Sequence, residues 1–162
     1  MSKLAENVYM TFTAPAIKKL VAGLRKRGRK IVFTNGVFDI LHYGHVNYLA
    51  RARRLGDVLI VGMNRDASVK RIKPGNRPIQ NEKDRARILA SLRQVDYVIM
   101  FGEETPEKLI RLIKPDILAK GADYKLSDIV GADFVKSYGG RVRRIPLVRG
   151  RSTTDLIKKM NR

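Results

Sequence analysis

After about residue 14, two kinds of segment alternate along the chain. Short β-rich runs appear at Ile31-Val32-Phe33-Thr34, Val58-Leu59-Ile60-Val61-Gly62, Tyr97-Val98-Ile99-Met100-Phe101, Ile117-Leu118-Ala119 and Val142-Arg143-Arg144-Ile145. Most are nearly continuous apolar stretches, the pattern of strands buried on both faces of a parallel sheet. Between them, helical signals run over about Pro15 to Leu24, Gly44 to Leu55, Asn81 to Leu92, Ser127 to Tyr138 and Ser152 to Met160. One further helix is marked by Thr105 as N-cap, Pro106 at its first position, and Leu109, Ile110 and Ile113 on one face. The alternation predicts an α/β fold: a single Rossmann-like, doubly wound domain over residues 1–162, with a five-stranded, mainly parallel sheet and an N-terminal extension at 1–13. Lys73 to Pro78, with two prolines and a glycine, breaks both periodicities and is predicted to be a mobile loop.

Composition narrows the setting. A chain of 162 residues can bury one core and little more. No apolar run approaches the roughly 18 residues that span a bilayer, no leader pattern opens the chain, and there is no cysteine. We therefore expect a cytoplasmic protein without membrane insertion. The net charge of +19, from 34 Lys+Arg against 15 Asp+Glu, would attract any polyanion. It is spread along the chain, with eight basic residues and one acidic in 1–30 and fourteen against eight in 101–162. No basic helix with interleaved aromatics accompanies it, so we expect no nucleic-acid partner. A basic nucleic-acid-binding module remains the rival from another class, distinguished by salt-steep affinity without turnover.

In such sheets, ligands bind beyond the carboxyl ends of the strands, and the chemistry-bearing residues fall there. Both histidines of the protein, His42 and His45, lie just after the first strand, where a helical pattern begins. Helix N-termini offer unpaired N–H groups to phosphate, and at spacing i, i+3 two imidazoles can converge on one anion. They could donate hydrogen bonds to phosphorus-bound oxygens as pyrophosphate leaves. Gly36 permits a close backbone approach, and Gly44 leaves room between the rings. A zinc site would have only Asp39 as a nearby third ligand and no cysteine, so no metal ligand set is predicted.

Further along, Asp66 either meets a ribose hydroxyl or caps a helix. Lys70, Arg71, Lys73 and Arg77 surround the predicted loop, which is either a solvated basic loop or one that closes on a triphosphate. Arg85 falls three and four residues before Ile88 and Leu89, on the side facing the sheet. Its head either snorkels out or reaches the site. Lys120-Gly121-Ala122-Asp123-Tyr124 ends the fourth strand, and Ser152-Thr153-Thr154-Asp155 opens the last helix with the look of a capping box.

The run Gly36-Val37-Phe38-Asp39 followed by His42-Tyr43-Gly44-His45 resembles the signature of the cytidylyltransferase-like nucleotidyltransferases. The resemblance implies a Rossmann-like fold, histidines on the triphosphate, and nucleotide bound by the backbone after the first strand. With Thr34-Asn35-Gly36, Asn64-Arg65-Asp66-Ala67-Ser68, Lys120 to Tyr124 and Arg151 to Thr154, it is closest to the adenylyltransferase family of ADP-heptose synthesis, over roughly Lys30 to Met160. It implies transfer of AMP from ATP to D-glycero-D-manno-heptose 1-phosphate, with Mg2+ on the ATP, for lipopolysaccharide or other surface glycans.

The site residues it implies are His42, His45 and Lys73 as catalytic, with Lys70 second choice to Lys73. Nucleotide binding is expected from Thr34, Asn35, Gly36, Phe38, Asn64, Asp66, Arg85, Lys120, Gly121, Ser152, Thr153 and Thr154. The acceptor is expected against Asp39, Lys70, Asp123 and Tyr124. Relatives are often homodimers, and residues 1–13 are the expected contribution to that interface. Many relatives are fused to a sugar kinase, so here another chain would supply the phosphorylated heptose. Glycerol-3-phosphate cytidylyltransferases are the nearest rivals, but they carry an arginine soon after the last strand's proline, where Pro146 here precedes Leu147-Val148. Ala122 stands where heptose enzymes usually have a second glycine, and Arg151 where many have a smaller residue, which leaves the acceptor and the base open. A flavin-adenylylating relative is a further alternative.

Overall fold

The computed structural model describes residues 8–9, 13–148, 150 and 152–160. Its strands are β1 (Val8–Tyr9), β2 (Ile31–Gly36), β3 (Val58–Asn64), β4 (Tyr97–Phe101), β5 (Ile117–Gly121) and β6 (Arg141–Ile145). Its helices are α1 (Ala14–Lys26), α2 (Tyr43–Arg53), α3 (Asp66–Ile72), α4 (Glu82–Ala90), α5 (Glu107–Ile113), α6 (Ala132–Ser137) and α7 (Thr153–Met160). All described strand pairs are parallel, in the order β1-β4-β3-β2-β5-β6. The five predicted strands are all present, and the two residues of β1 add an edge strand that the apolar pattern did not signal.

Alternate residues of β2, β3, β4 and β5 enter two separate cores, because side chains of a strand point to opposite faces in turn. Ile31, Phe33, Ile60, Ile99 and Leu118 pack under α1, α5 and α6. Val32, Leu59, Val61, Val98 and Ala119 pack under α2 and α4. Gly62 is required on β3, since a Cβ there would stand 2.7 Å from the Phe33 ring. Strands β2 to β5 are thus covered on both sides, which is why they read as nearly unbroken apolar runs, whereas β6 at the edge is largely exposed.

Two helix predictions need correction. The stretch from Ser127 to Tyr138 is not one helix: a 3-10 turn at Leu126–Asp128 precedes Gly131 at φ +83, and only Ala132–Ser137 is α-helical. A side chain at Gly131 would collide with Ile110, so glycine and its left-handed backbone divide the segment. The start of α5 is one residue later than predicted, with Pro106 rather than Thr105 in the cap position.

The amino ends of the strands are tied by three aspartates, each standing just before a strand. Asp57 accepts the amide of Lys30, Asp116 that of Ile31, and Asp96 that of Leu59. The carboxyl ends lead into the longer turns, and the chain reverses its winding between β2 and β5. A crevice forms at such a switch point. Among the described residues, no helix is long and apolar enough to cross a membrane.

Candidate active site

The turn between β2 and α2 carries the two histidines to the carboxyl-end side of the sheet, at this switch point. His42 is the N-cap of α2 with extended backbone (φ −140, ψ 171), and His45 lies in its first turn. Their rings stack with centroids 3.9 Å apart and planes at 27°. Phe38, held at φ +49, presses its ring edge on His45 at 5.4 Å. The same ring closes over Gly36, where a Cβ would come within 2.9 Å of it. Burial, then the neighbouring His42, pushes the His45 pKa down to about 4, so this ring is neutral near pH 7. Its Nδ1 is buried with no hydrogen-bond partner among the described residues, and so is Oδ1 of Asn35 at the end of β2.

On the β5 side of the crevice, Lys120 is 8% exposed, with its Nζ 5.1 Å from the Tyr124 ring centre. Burial lowers its pKa to about 8, against the opposing pull of Asp123. Gly121 leaves room for the Asp123 carboxylate, which would meet any Cβ there. The Thr34 hydroxyl is buried against the Tyr48 hydroxyl at 2.8 Å. Burial pushes the Tyr48 phenol up, with the Asp123 and Tyr124 charges adding and the Thr34 bond opposing. Tyr48 was missed from the sequence; its position three residues after His45, on one face of α2, was the available signal.

The C-terminal helix reaches the same place. Thr153 Oγ1 donates to the Ile40 carbonyl at 3.4 Å, and the Leu156 amide to the Ser152 carbonyl at 3.1 Å. The start of α7 therefore stands against the histidine turn, while Thr154 is exposed. Arg151, the Asp155 side chain of the expected capping box, and all of the 1–13 extension except 8–9 and 13 lie outside the described residues.

Several residues expected to bind nucleotide make contacts within the scaffold. Arg85 neither snorkels nor opens to the crevice; its side chain is fully buried. It donates to the carbonyls of Gln80 (3.0 Å), Val37 (2.6 Å) and Asn64 (2.9 Å) and to Asp66 Oδ1 at 2.7 Å. Asn64 donates its amide to Ser68. Asp66 is the first residue of α3 rather than its cap, and it exchanges backbone-to-carboxylate bonds with Glu82, the first residue of α4. Each acid thereby satisfies the other helix's first amide. Phe38 supports His45 from within the core.

Asp39, expected against the acceptor, is held by the basic loop. Its buried carboxylate accepts the amides of Ile79 and Gln80 and the Arg77 Nε at 2.5 Å. Burial raises its pKa, but the Gln80 and Ile79 amides, then Arg77, outweigh that and hold it below the ordinary value. Lys73, the C-cap of α3, is exposed where the basic loop begins. Lys70 lines a groove of about 630 Å³ with Asp66, Glu82 and Arg87, which neither histidine borders.

A family model described as cytidylyltransferase-like matches residues 33–158. The chain is 56% identical over 136 residues to the bifunctional protein HldE of Syntrophotalea carbinolica, which covers 84% of this chain and 28% of that protein. It is 51% identical over 158 residues to the protein of the same name from Paramagnetospirillum magneticum, covering 98% of this chain and 32% of that one. The chain thus spans about a third of the length of the curated relatives it matches. Among solved structures, the lipopolysaccharide core biosynthesis protein from Thermoplasma volcanium aligns at a TM-score of 0.61 and 31% identity, over 76% of this chain and all of that one. Pantoate-beta-alanine ligase from Francisella tularensis aligns at 0.60 and 17% identity, over 95% of this chain and 77% of that one, a likeness of fold alone. With the match running from β2 to α7, over the histidine turn and both sides of the crevice, the chain belongs to the cytidylyltransferase-like family of nucleotidyltransferases.

Proposed function

We propose that this chain transfers AMP from ATP to D-glycero-D-manno-heptose 1-phosphate, releasing pyrophosphate and ADP-heptose by in-line attack without a covalent intermediate. The observation that carries the transfer chemistry is the stacked pair His42 and His45 at the N-terminus of α2. The choice of acceptor is supported by the motif resemblance and by relatives named as HldE and as a lipopolysaccharide core biosynthesis protein.

The acceptor phosphate oxygen attacks the α-phosphorus as its bond to the pyrophosphate oxygen breaks, and negative charge gathers on the oxygens between. A neutral His45 donates a hydrogen bond there, and the first-turn amides of α2 add partial positive charge. The two rings are too close for both to be cations at little cost, in keeping with a neutral His45. Lys120 offers a positive charge from the β5 side, and the start of α7 closes the third. Asn35 Oδ1 stands ready for a donor group of the nucleotide. Asp123, exposed at the end of β5, fits magnesium only as a peripheral carboxylate, in keeping with an ion held mainly by phosphate and water. When bound, the ion would neutralise triphosphate charge.

The test is pyrophosphate release from each of the four nucleoside triphosphates with a panel of sugar and polyol phosphates. ATP with the heptose 1-phosphate should be the best pair. Release only from CTP with glycerol 3-phosphate, or none from any pair, would overturn the reading.

The Lys120 charge predicts a pH dependence. With a pKa of about 8 in the free protein, the lysine is charged below that pH and neutral above it. The kcat/KM for ATP should therefore fall above pH about 8. Lys120→Arg should move that limb beyond pH 10, because a guanidinium stays charged, at some loss of rate from its different shape. A wild-type profile flat to pH 10 would remove Lys120 from the phosphate site.

A further inference from the structure

We propose that Asp39 is a positioning residue: it suspends the basic loop from the turn that carries the histidines, and so fixes the hinge on which Lys73 approaches the triphosphate. This rests on the nucleotidyl-transfer reading of the site.

The loop predicted as one mobile stretch has two unlike parts. Residues 73–76 are all exposed, and their described backbone bonds are local, from the Lys73 amide to Val69 and from the Arg77 amide to Gly75. Gly75 turns the chain at φ +76. From Arg77 onward, the chain is gripped from both sides. The Asp39 carboxylate, with no side-chain exposure, accepts Ile79 N–H at 2.8 Å on Oδ1, Gln80 N–H at 3.0 Å, and Arg77 Nε on Oδ2. Arg85 holds the Gln80 carbonyl at 3.0 Å, and the Asn81 side chain caps α4 by accepting the Asp84 amide at 3.0 Å. The tip 73–76 is exposed and has only local backbone bonds, whereas the foot 77–81 is held by Asp39, Arg85 and the Asn81 cap.

The grip acts on the histidine turn itself. Three successive residues there each hold something different: the Val37 carbonyl takes Arg85, the Phe38 ring supports His45, and the Asp39 carboxylate takes the loop foot. A displaced foot would be felt three residues before His42. The arrangement also places an anion near a triphosphate site without repelling the substrate, because Arg77 and two amides neutralise it. A carboxylate is needed for this. An amide side chain of the same shape keeps one acceptor oxygen and must turn its NH2 toward either Arg77 or the backbone N–H groups.

The experiment is a double-mutant cycle of Asp39→Asn and Lys73→Ala, read by titration with ATP, by separate kcat and KM values, and by amide hydrogen exchange. In the wild-type background, Lys73→Ala should weaken ATP binding about tenfold. In the Asp39→Asn background it should change little, because Lys73 has already lost its station. Exchange at Ile79 and Gln80 should quicken at least tenfold in Asp39→Asn while amides of β2, β3 and β5 keep wild-type protection. Additive effects of the two changes, unaltered exchange at Ile79 and Gln80, or a uniform rise across the sheet would overturn the proposal. If Asp39→Asn does not fold, Arg77→Leu removes one donor and leaves the two amides. It should show about a threefold part of the same exchange shift, and wild-type exchange and ATP affinity in that variant would overturn the proposal as well. A wild-type protein that binds ATP but releases no pyrophosphate would defeat the proposed reaction and leave the cycle readable; one that binds no ATP would defeat both.

Discussion

Alanine at position 45 is expected to reduce pyrophosphate release by about 10²- to 10³-fold, the usual cost of removing one donor aimed at developing phosphate or oxyanion charge. The fold should survive. His45 is partly exposed in the first turn of α2, its ring is neutral near pH 7, and no described hydrogen bond of its Nδ1 is lost. Circular dichroism and the melting temperature should therefore stay near wild type while turnover collapses. The sign of the pH effect also follows. With a pKa of about 4, His45 gives no acid limb between pH 5 and 7, so any inflection there belongs to another group. Near-normal turnover in His45→Ala would break the link between the stacked pair and the chemistry.

Arg85→Met should do the opposite, costing about 3–5 kcal/mol of stability in urea denaturation, as when one partner of a buried ion pair is removed. The guanidinium is the sole described bridge between the Val37, Asn64 and Gln80 carbonyls and the Asp66 carboxylate. Methionine fills its volume but removes this donor from all three carbonyls and leaves the Asp66 carboxylate with the Glu82 amide and solvent. Domains of this size are stable by about 5–15 kcal/mol in all, so such a loss is a large part of the whole. Arg85→Lys should recover only a fraction, since an ammonium on a flexible stem cannot span four acceptors lying in different directions. A change below about 1 kcal/mol in Arg85→Met would mean that the network is an ornament of the fold rather than a support.

The two residues differ in how far they could be understood before folding. His42 and His45 were readable because spacing, flanking glycines and a strand-to-helix junction are all local features, and local features survive folding unchanged. Lys120 and the start of α7 were readable as strand-end and helix-start positions, although nothing local revealed that Lys120 would be buried beside Tyr124. Arg85 was recognisable as misplaced on an apolar face, yet its four partners come from residues 5 to 48 positions away. Asp39 belonged to the histidine signature by position and to the loop foot by bonding, some 40 residues distant. Tyr48 went unnoticed because its partner Thr34 sits on another element.

What could be had from the order of residues alone was the layered α/β class, the five principal strands and the histidine turn at a strand end. Each follows from short-range periodicity, in which an apolar run or a glycine has the same consequence wherever the chain takes it. The allocation of polar side chains between scaffold and crevice belonged to the folded molecule. Whether Asp39, Asn64, Asp66 and Arg85 face a ligand or one another depends on which strands lie side by side, and buried hydrogen bonds go to whichever donors and acceptors the packed sheet brings within about 3 Å.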